Sequence, residues 1–210
     1  MARLLLAIFL VLPMFGADPN LPRILKGVEE RYNRAKTLQV VFEETYTVNG
    51  RARKAESGDL FLRKPGRMRW DYKAPAGKLF LSDGKDVFLY TPSDNSAEKM
   101  KLKESDDMRA PLAFLLGKLE FEKEFQNFQT APAGDGSLKI TAIPKSDRLP
   151  YREVDFFVTP DYKIHKLNIT GQDSSVLTFV LRNEQVNPAL DDKLFRFNLP
   201  AGATLKDASK

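Results

Sequence analysis

The chain has 210 residues, 42% of them hydrophobic and 29% charged, with a formal net charge of +5 and a pI near 9.3. It has no cysteine, which excludes disulfides, zinc–thiolate sites, thiol nucleophiles and a lipidated N-terminal cysteine. Charges of both signs alternate along the chain without a basic block, so no nucleic-acid surface is expected; the small positive excess suits acidic partners or anionic head groups.

At the N-terminus, Arg3 is followed by an apolar run from Leu4 to Leu12, then Pro13 and small residues at Gly16 and Ala17. A short basic region, a short apolar region and a cleavage-like end read as a secretory signal peptide. The run falls short of the about 20 residues that span a bilayer. Phe15 is large where a small residue is usual, so an uncleaved anchor is the alternative. Export is the expectation, with residues 1–17 as signal peptide and 18–210 as a single domain, large enough for its own core and expected to be a monomer.

Asn20 and Pro22 mark a helix start, and Leu21, Ile24, Leu25, Val28, Tyr32 and Ala35 recur at helical spacing, which predicts an amphipathic helix over 21–36. The period then changes to two. In "LQVVFEETYTV", Leu38, Val40, Phe42, Tyr46 and Val48 share one face, and Asn49-Gly50 signals a hairpin. Further strands are predicted near 58–64, 67–73, 78–82, 86–91 and 97–102. The stretch "RAPLAFLLGKL" breaks the alternation with a run that is apolar all round, which predicts a short helix over about 109–117 stopped by Gly117. Strands resume near 124–131, 137–143, 152–159, 162–170 and 174–184, and 194–199 adds a final edge strand. Many short antiparallel strands with only two helices predict a curved sheet or barrel.

No catalytic constellation is legible. His165, the single histidine, lies mid-strand; Glu43-Glu44 point to opposite faces; Asp106-Asp107 and Asp191-Asp192 read as solvated. No nucleophile elbow, phosphate loop or metal-ligand set occurs, so the expectation is a protein that is not an enzyme and needs no cofactor or metal. Fifteen phenylalanines, one tryptophan and six tyrosines remain to be placed. "LFL" at 60–62, "VFLY" at 87–90 and "VLTFVL" at 176–181 are apolar on both sides, so both sheet faces are expected to be covered, one by helices and the other by a bound apolar ligand. Composition alone leaves core and cavity open.

"GDLFLRKPGRMRWDYKAP" followed by "LSDGKDVFLYTP" resembles the periplasmic outer-membrane lipoprotein carrier proteins, the LolA family. The shared pattern is Gly-x-Leu, a basic residue before Pro, a Trp shortly after, and Ser-Asp-Gly-Lys leading into an aromatic strand. "PLAFLLG" is similar to the family's short apolar helix and "KLFRFNLPAGATLKD" to its ending. The resemblance implies a mainly β fold: an incomplete, open antiparallel barrel with an N-terminal helix and a short helical lid over an apolar cavity. It places the exported chain in the periplasm, and it implies binding of the acyl chains of lipoproteins released by an inner-membrane ABC-type complex and delivery to an outer-membrane lipoprotein acceptor. Strand parity gives Phe42, Leu60, Leu62, Met68, Trp70 and Tyr72 as cavity candidates, with Leu112, Leu115 and Leu116 from the lid, although parity does not say which face is concave. The family pattern has Arg directly before the Pro, bonding the lid; here Lys64 holds that position with Arg63 beside it, so the latch falls to one of these two, and a solvated corner lysine is the other reading of Lys64. A carrier of another amphiphile, such as a phospholipid or glycolipid, and a sensor or adaptor domain on the same fold are the alternatives.

Overall fold

A computed structural model of the chain describes residues 20–102 and 118–208. The predicted signal peptide and the predicted helix over 109–117 lie outside these residues. Helix α1 (Leu21–Arg34) opens with Pro22, whose fixed φ and missing N–H suit a first turn; the Asn20 carbonyl accepts the Ile24 N–H at 3.1 Å, but the Asn20 side chain makes no cap bond. The stripe Leu21, Leu25, Val28 and Tyr32 is buried. The helix stops at Arg34 rather than at 36 because Ala35 turns extended and the Lys36 N–H bonds the Asn187 side chain at 2.8 Å.

The strands are β1 (Thr37–Val48), β2 (Arg51–Ala52), β3 (Glu56–Arg63), β4 (Arg67–Ala74), β5 (Leu79–Asp83), β6 (Asp86–Thr91) and β7 (Ser96–Lys101). After the short helix α2 (Phe121–Glu124) come β8 (Phe125–Pro132), β9 (Leu138–Pro144), β10 (Tyr151–Val158), β11 (Ile164–Gly171), β12 (Val176–Val186) and β13 (Thr204–Asp207). They form one sheet in the order β13-β7-β6-β5-β4-β3-β1-β12-β11-β10-β9-β8, with β2 paired to β1. Only β13 on β7 is parallel among the described pairs. The two ends of the order, β13 and β8, do not pair, so the sheet is open, as predicted. Strand β1 joins its halves: it pairs β3 on one side and β12, more than a hundred residues away, on the other.

Curvature is imposed at Gly58. The β3–β4 register shifts between Ser57 and Gly58, and a Cβ on Gly58 would stand 2.0 Å from the Asp71 carbonyl oxygen and 2.9 Å from Tyr72 Cα. Only a residue without a side chain lets β4 come this close. Gly58 also lies between Phe42 and Tyr72 in the ladder, and the two rings meet edge to face at 5.1 Å across it. A bulge and a glycine at one site bend a sheet.

Helix α1 lies against the concave face in one continuous core with Phe42, Leu60, Trp70, Phe156 and Phe179. Polar bonds fix its C-terminal half. The Tyr32 hydroxyl donates to Glu184 Oε2 at 2.8 Å and accepts the Ile164 N–H at 2.9 Å; Arg31 pairs with Glu184. Asn33 bonds both the N–H and the carbonyl of Leu119, and Glu29 accepts the Phe121 N–H, so the chain re-entering at 118 is pinned to α1.

The convex face of β3–β6 is covered by the protein's own C-terminal segment, which corrects the expectation that a bound ligand covers the second face. Phe197 stacks on Phe88 at 4.5 Å, Phe195 is buried beneath the Arg63 guanidinium, and Leu81 on that side is fully buried. The predicted edge strand at 194–199 is therefore not a strand. A 3-10 turn at Asp192–Phe195 and an extended run cross the face with their aromatic groups turned onto it, and the edge strand is β13 instead.

Gly58→Ala should lower stability by about 2–4 kcal/mol in urea unfolding. Gly134→Ala, where nothing lies within 4 Å, should be near neutral. Tyr32→Phe, which strips a partner from both Glu184 and the Ile164 N–H, should cost about 1–3 kcal/mol. Burial raises the Tyr32 phenol well above its ordinary value of 10.0. The unfolded phenol ionises first, so this contribution is complete below pH 10 and is lost as pH rises beyond it. Urea titrations from pH 9 to 11.5 should show a smaller alkaline loss for Tyr32→Phe than for the wild type.

Candidate functional site

The six cavity candidates within the described residues all lie on one face and are buried: Phe42, Leu60 and Trp70 completely, Met68 at 1%, Leu62 at 2% and Tyr72 at 5% exposure. The ladder brings them together in rows. Leu60 lies between Val40 and Trp70, and Leu62 between Leu38 and Met68. Trp70 has Phe80 on its other side.

Ring contacts identify this face as the concave one. Trp70 on β4 and Phe179 on β12 are three places apart in the strand order, with ring centroids 5.4 Å apart. Across a flat sheet the same strands would lie about 14 Å apart, at the usual spacing of about 4.8 Å. Phe42 fills the angle, 4.6 Å from Trp70. Side chains on the other face of so curved a sheet would diverge.

The centre of this face is apolar and one end is polar. There the Tyr72 hydroxyl donates to Glu44 Oε2 at 3.3 Å, the Lys78 ammonium sits 4.3 Å over the Tyr72 ring, and Lys78 also pairs with Glu56. The Arg53 guanidinium lies 5.1 Å over Tyr46. The register places the 49–55 turn and the Pro75 turn at this end, while the α1 C-terminus is at the other, against the ends of β3 and β12 and the start of β11. The geometry suits a long apolar group across the centre and a charged or polar group at the rim.

Lys64 and Arg63 take different partners. Lys64 Nζ donates to the Tyr32 carbonyl at 2.7 Å, a cation on the C-terminal end of α1, and partial burial holds its ammonium below the ordinary lysine range. Arg63 points to the convex side, bonding Asp192 and the Leu190 carbonyl. The lid candidates Leu112, Leu115 and Leu116 lie outside the described residues.

Sequence reasoning missed Phe179, Phe156, Phe121 and Leu119, all fully buried in the same core. Phe179 was readable from parity, since it alternates with Leu177 and Leu181. Leu119 and Phe121 follow no period and are held by Asn33 and Glu29, contacts that no local pattern announces. His165, on β11, stands 3.4 Å from Asp135 of the turn before β9, away from the ring cluster.

Comparison with known proteins finds relatives over most of the chain. A curated outer-membrane lipoprotein carrier protein of Proteus mirabilis is 28% identical over 195 residues, covering 92% of this chain and 93% of the relative. One of the same description from Bordetella avium is 29% identical over 162 residues, covering 76% and 75%. Among solved structures, an uncharacterized conserved protein from Thermus thermophilus superposes with a TM-score of 0.53 at 11% identity, covering 90% of this chain and 99% of that one, a likeness of fold alone. The family described as outer membrane lipoprotein carrier protein LolA matches residues 33–198, and the chain belongs to it.

Proposed function

We propose that the protein is an outer-membrane lipoprotein carrier that holds the acyl chains of lipoproteins against its concave face. In this reading residues 1–17 are removed on export, and residues 18–210 act as one domain in the periplasm. That domain accepts cargo from an inner-membrane ABC-type release complex and passes it to an outer-membrane acceptor. The observation that carries the reading is the convergence of Trp70, Phe42 and Phe179 from three strands into one apolar concave surface with a polar rim. The family description and the names of the curated relatives support it, and both describe a carrier rather than a catalyst.

A carrier must bind strongly and still let go. Each methylene withdrawn from water contributes about 0.8 kcal/mol, so one long acyl chain contributes on the order of 10 kcal/mol. Phe42, Trp70 and Phe179 are already fully buried without cargo. Entering chains must therefore displace protein groups from apolar contacts, and that displacement offsets much of the gain. The apolar run Leu112–Leu116, with Leu112, Leu115 and Leu116 as the contact residues, is the sequence candidate for the displaced element. Met68 adapts to irregular chain shapes because its side chain is unbranched. Lys64 fixes the C-terminal end of α1, so the wall against which cargo lies keeps its place.

Charge at Trp70 would fall in the centre of the core and unfold the sheet, so the test uses Leu115. A Leu115→Glu variant with a wild-type circular dichroism spectrum should capture at least tenfold less triacylated lipoprotein from detergent-free vesicles bearing the release complex. Undiminished capture by the folded variant would count against the reading.

A further inference from the structure

Among the described residues, three buried side-chain nitrogens have no hydrogen-bond partner: Arg63 Nε, His165 Nε2 and Trp70 Nε1. Two are explained by their surroundings. The other Arg63 nitrogens are bonded to Asp192 and Leu190, and His165 Nε2 lies 3.4 Å from an Asp135 carboxylate. Trp70 has no such neighbour among the described residues. Its ring is fully buried, and the groups placed around it are Leu60, Phe80, Phe42 and Phe179. An indole N–H is a donor only, and a buried donor without an acceptor is unfavourable and uncommon.

Packing alone gives no reason for the nitrogen. Phenylalanine and leucine fill the neighbouring positions, and a wholly hydrocarbon ring would avoid the desolvated donor. The concave face is the proposed cargo site, and a ligand that binds there brings its own polar atoms. An acyl chain differs from a plain alkyl chain in one such atom near its head, the ester or amide carbonyl oxygen. That oxygen accepts a hydrogen bond and has no donor of its own to match.

We propose that Trp70 is the specificity-determining donor of the concave face: on cargo binding its indole N–H bonds the carbonyl oxygen of an ester- or amide-linked acyl chain. This rests on the acyl-carrier reading above and deepens it, because it assigns the linkage that is recognised. An alkyl chain joined through an ether has nearly the same apolar length but lacks the carbonyl; its one oxygen lies within the chain, one atom nearer the head, out of line with a donor placed for a carbonyl. The bond also fixes how deep the chain sits, with its carbonyl level with Trp70 and its head directed to the rim.

The test compares two synthetic lipopeptides of equal chain length, one with two ester-linked acyl chains and one with the same chains ether-linked. Binding is read by anisotropy of a dye on the peptide. Wild-type protein should bind the ester probe about five- to tenfold more tightly, the range of a single neutral hydrogen bond. Trp70→Phe should bind both probes equally, at the wild-type ether level. Trp70 is the single tryptophan, so the indole N–H vibration in ultraviolet resonance Raman spectra of the wild type reads the bond without mutation. It should move to the hydrogen-bonded position with the ester probe and stay put with the ether. A wild type that binds both probes equally without a Raman shift overturns the role of Trp70 and leaves the carrier reading standing. So does a folded Trp70→Phe that keeps the ester preference. A wild type that captures neither probe overturns both.

Discussion

Gly58 is the position on which the concave face depends. Strands β3 and β4 approach there until no Cβ fits against the Asp71 carbonyl, and the bulge beside it turns the sheet. Because the ladder position between Phe42 and Tyr72 is empty of side chain, their rings close over it. Trp70, one row along, then reaches Phe179 across two intervening strands. Without that bend the same residues would stand apart on a flat surface, and each would expose ring area to water or to another molecule.

The bend gives the two faces different tasks. The convex side of β3–β6 is closed by the C-terminal segment, with Phe197 on Phe88 and three arginines of β3 and β4 bonded to its carboxylate and carbonyl groups. These contacts are part of the fold. The concave side is closed at one end by α1, through Tyr32, Arg31 and Lys64, and ends at the other in a rim of charged groups around Tyr72 and Tyr46. Apolar surface bounded by a fixed wall and a charged rim matches an amphiphile better than it matches a flat protein partner.

Much of the sheet was legible because its strands obey one rule. Over Leu38–Phe42 in β1, Gly58–Leu62 in β3 and Met68–Tyr72 in β4 every second residue is buried, and these stretches were readable from parity alone. What parity could not supply was the sign of the curvature, which depends on a backbone approach at Gly58. The ending was misread for a related reason. "FRFN" alternates like a strand, but its rings are taken up by Phe88 and the Arg63 guanidinium, and its backbone joins no ladder; tertiary packing overrode the local pattern. Lys64 was read as a latch on the lid or a solvated corner lysine; the lid lies outside the described residues, and among those described the partner of Lys64 is the Tyr32 carbonyl of α1. The anchoring of Leu119 by Asn33 joins residues 86 apart in sequence and left no periodic trace.

Because Trp70 is the single tryptophan and sits in the middle of the concave face, its fluorescence reports directly on what occupies that face. Lipopeptides whose acyl chains carry bromine on the carbon next to the carbonyl quench a tryptophan only in near contact. Titration with the brominated probe should extinguish most of the Trp70 emission, in step with binding measured independently, while an unbrominated probe should bind equally without quenching. Binding of the brominated probe with Trp70 emission undiminished would place the acyl chains elsewhere on the molecule and contradict the concave face as the site of carriage.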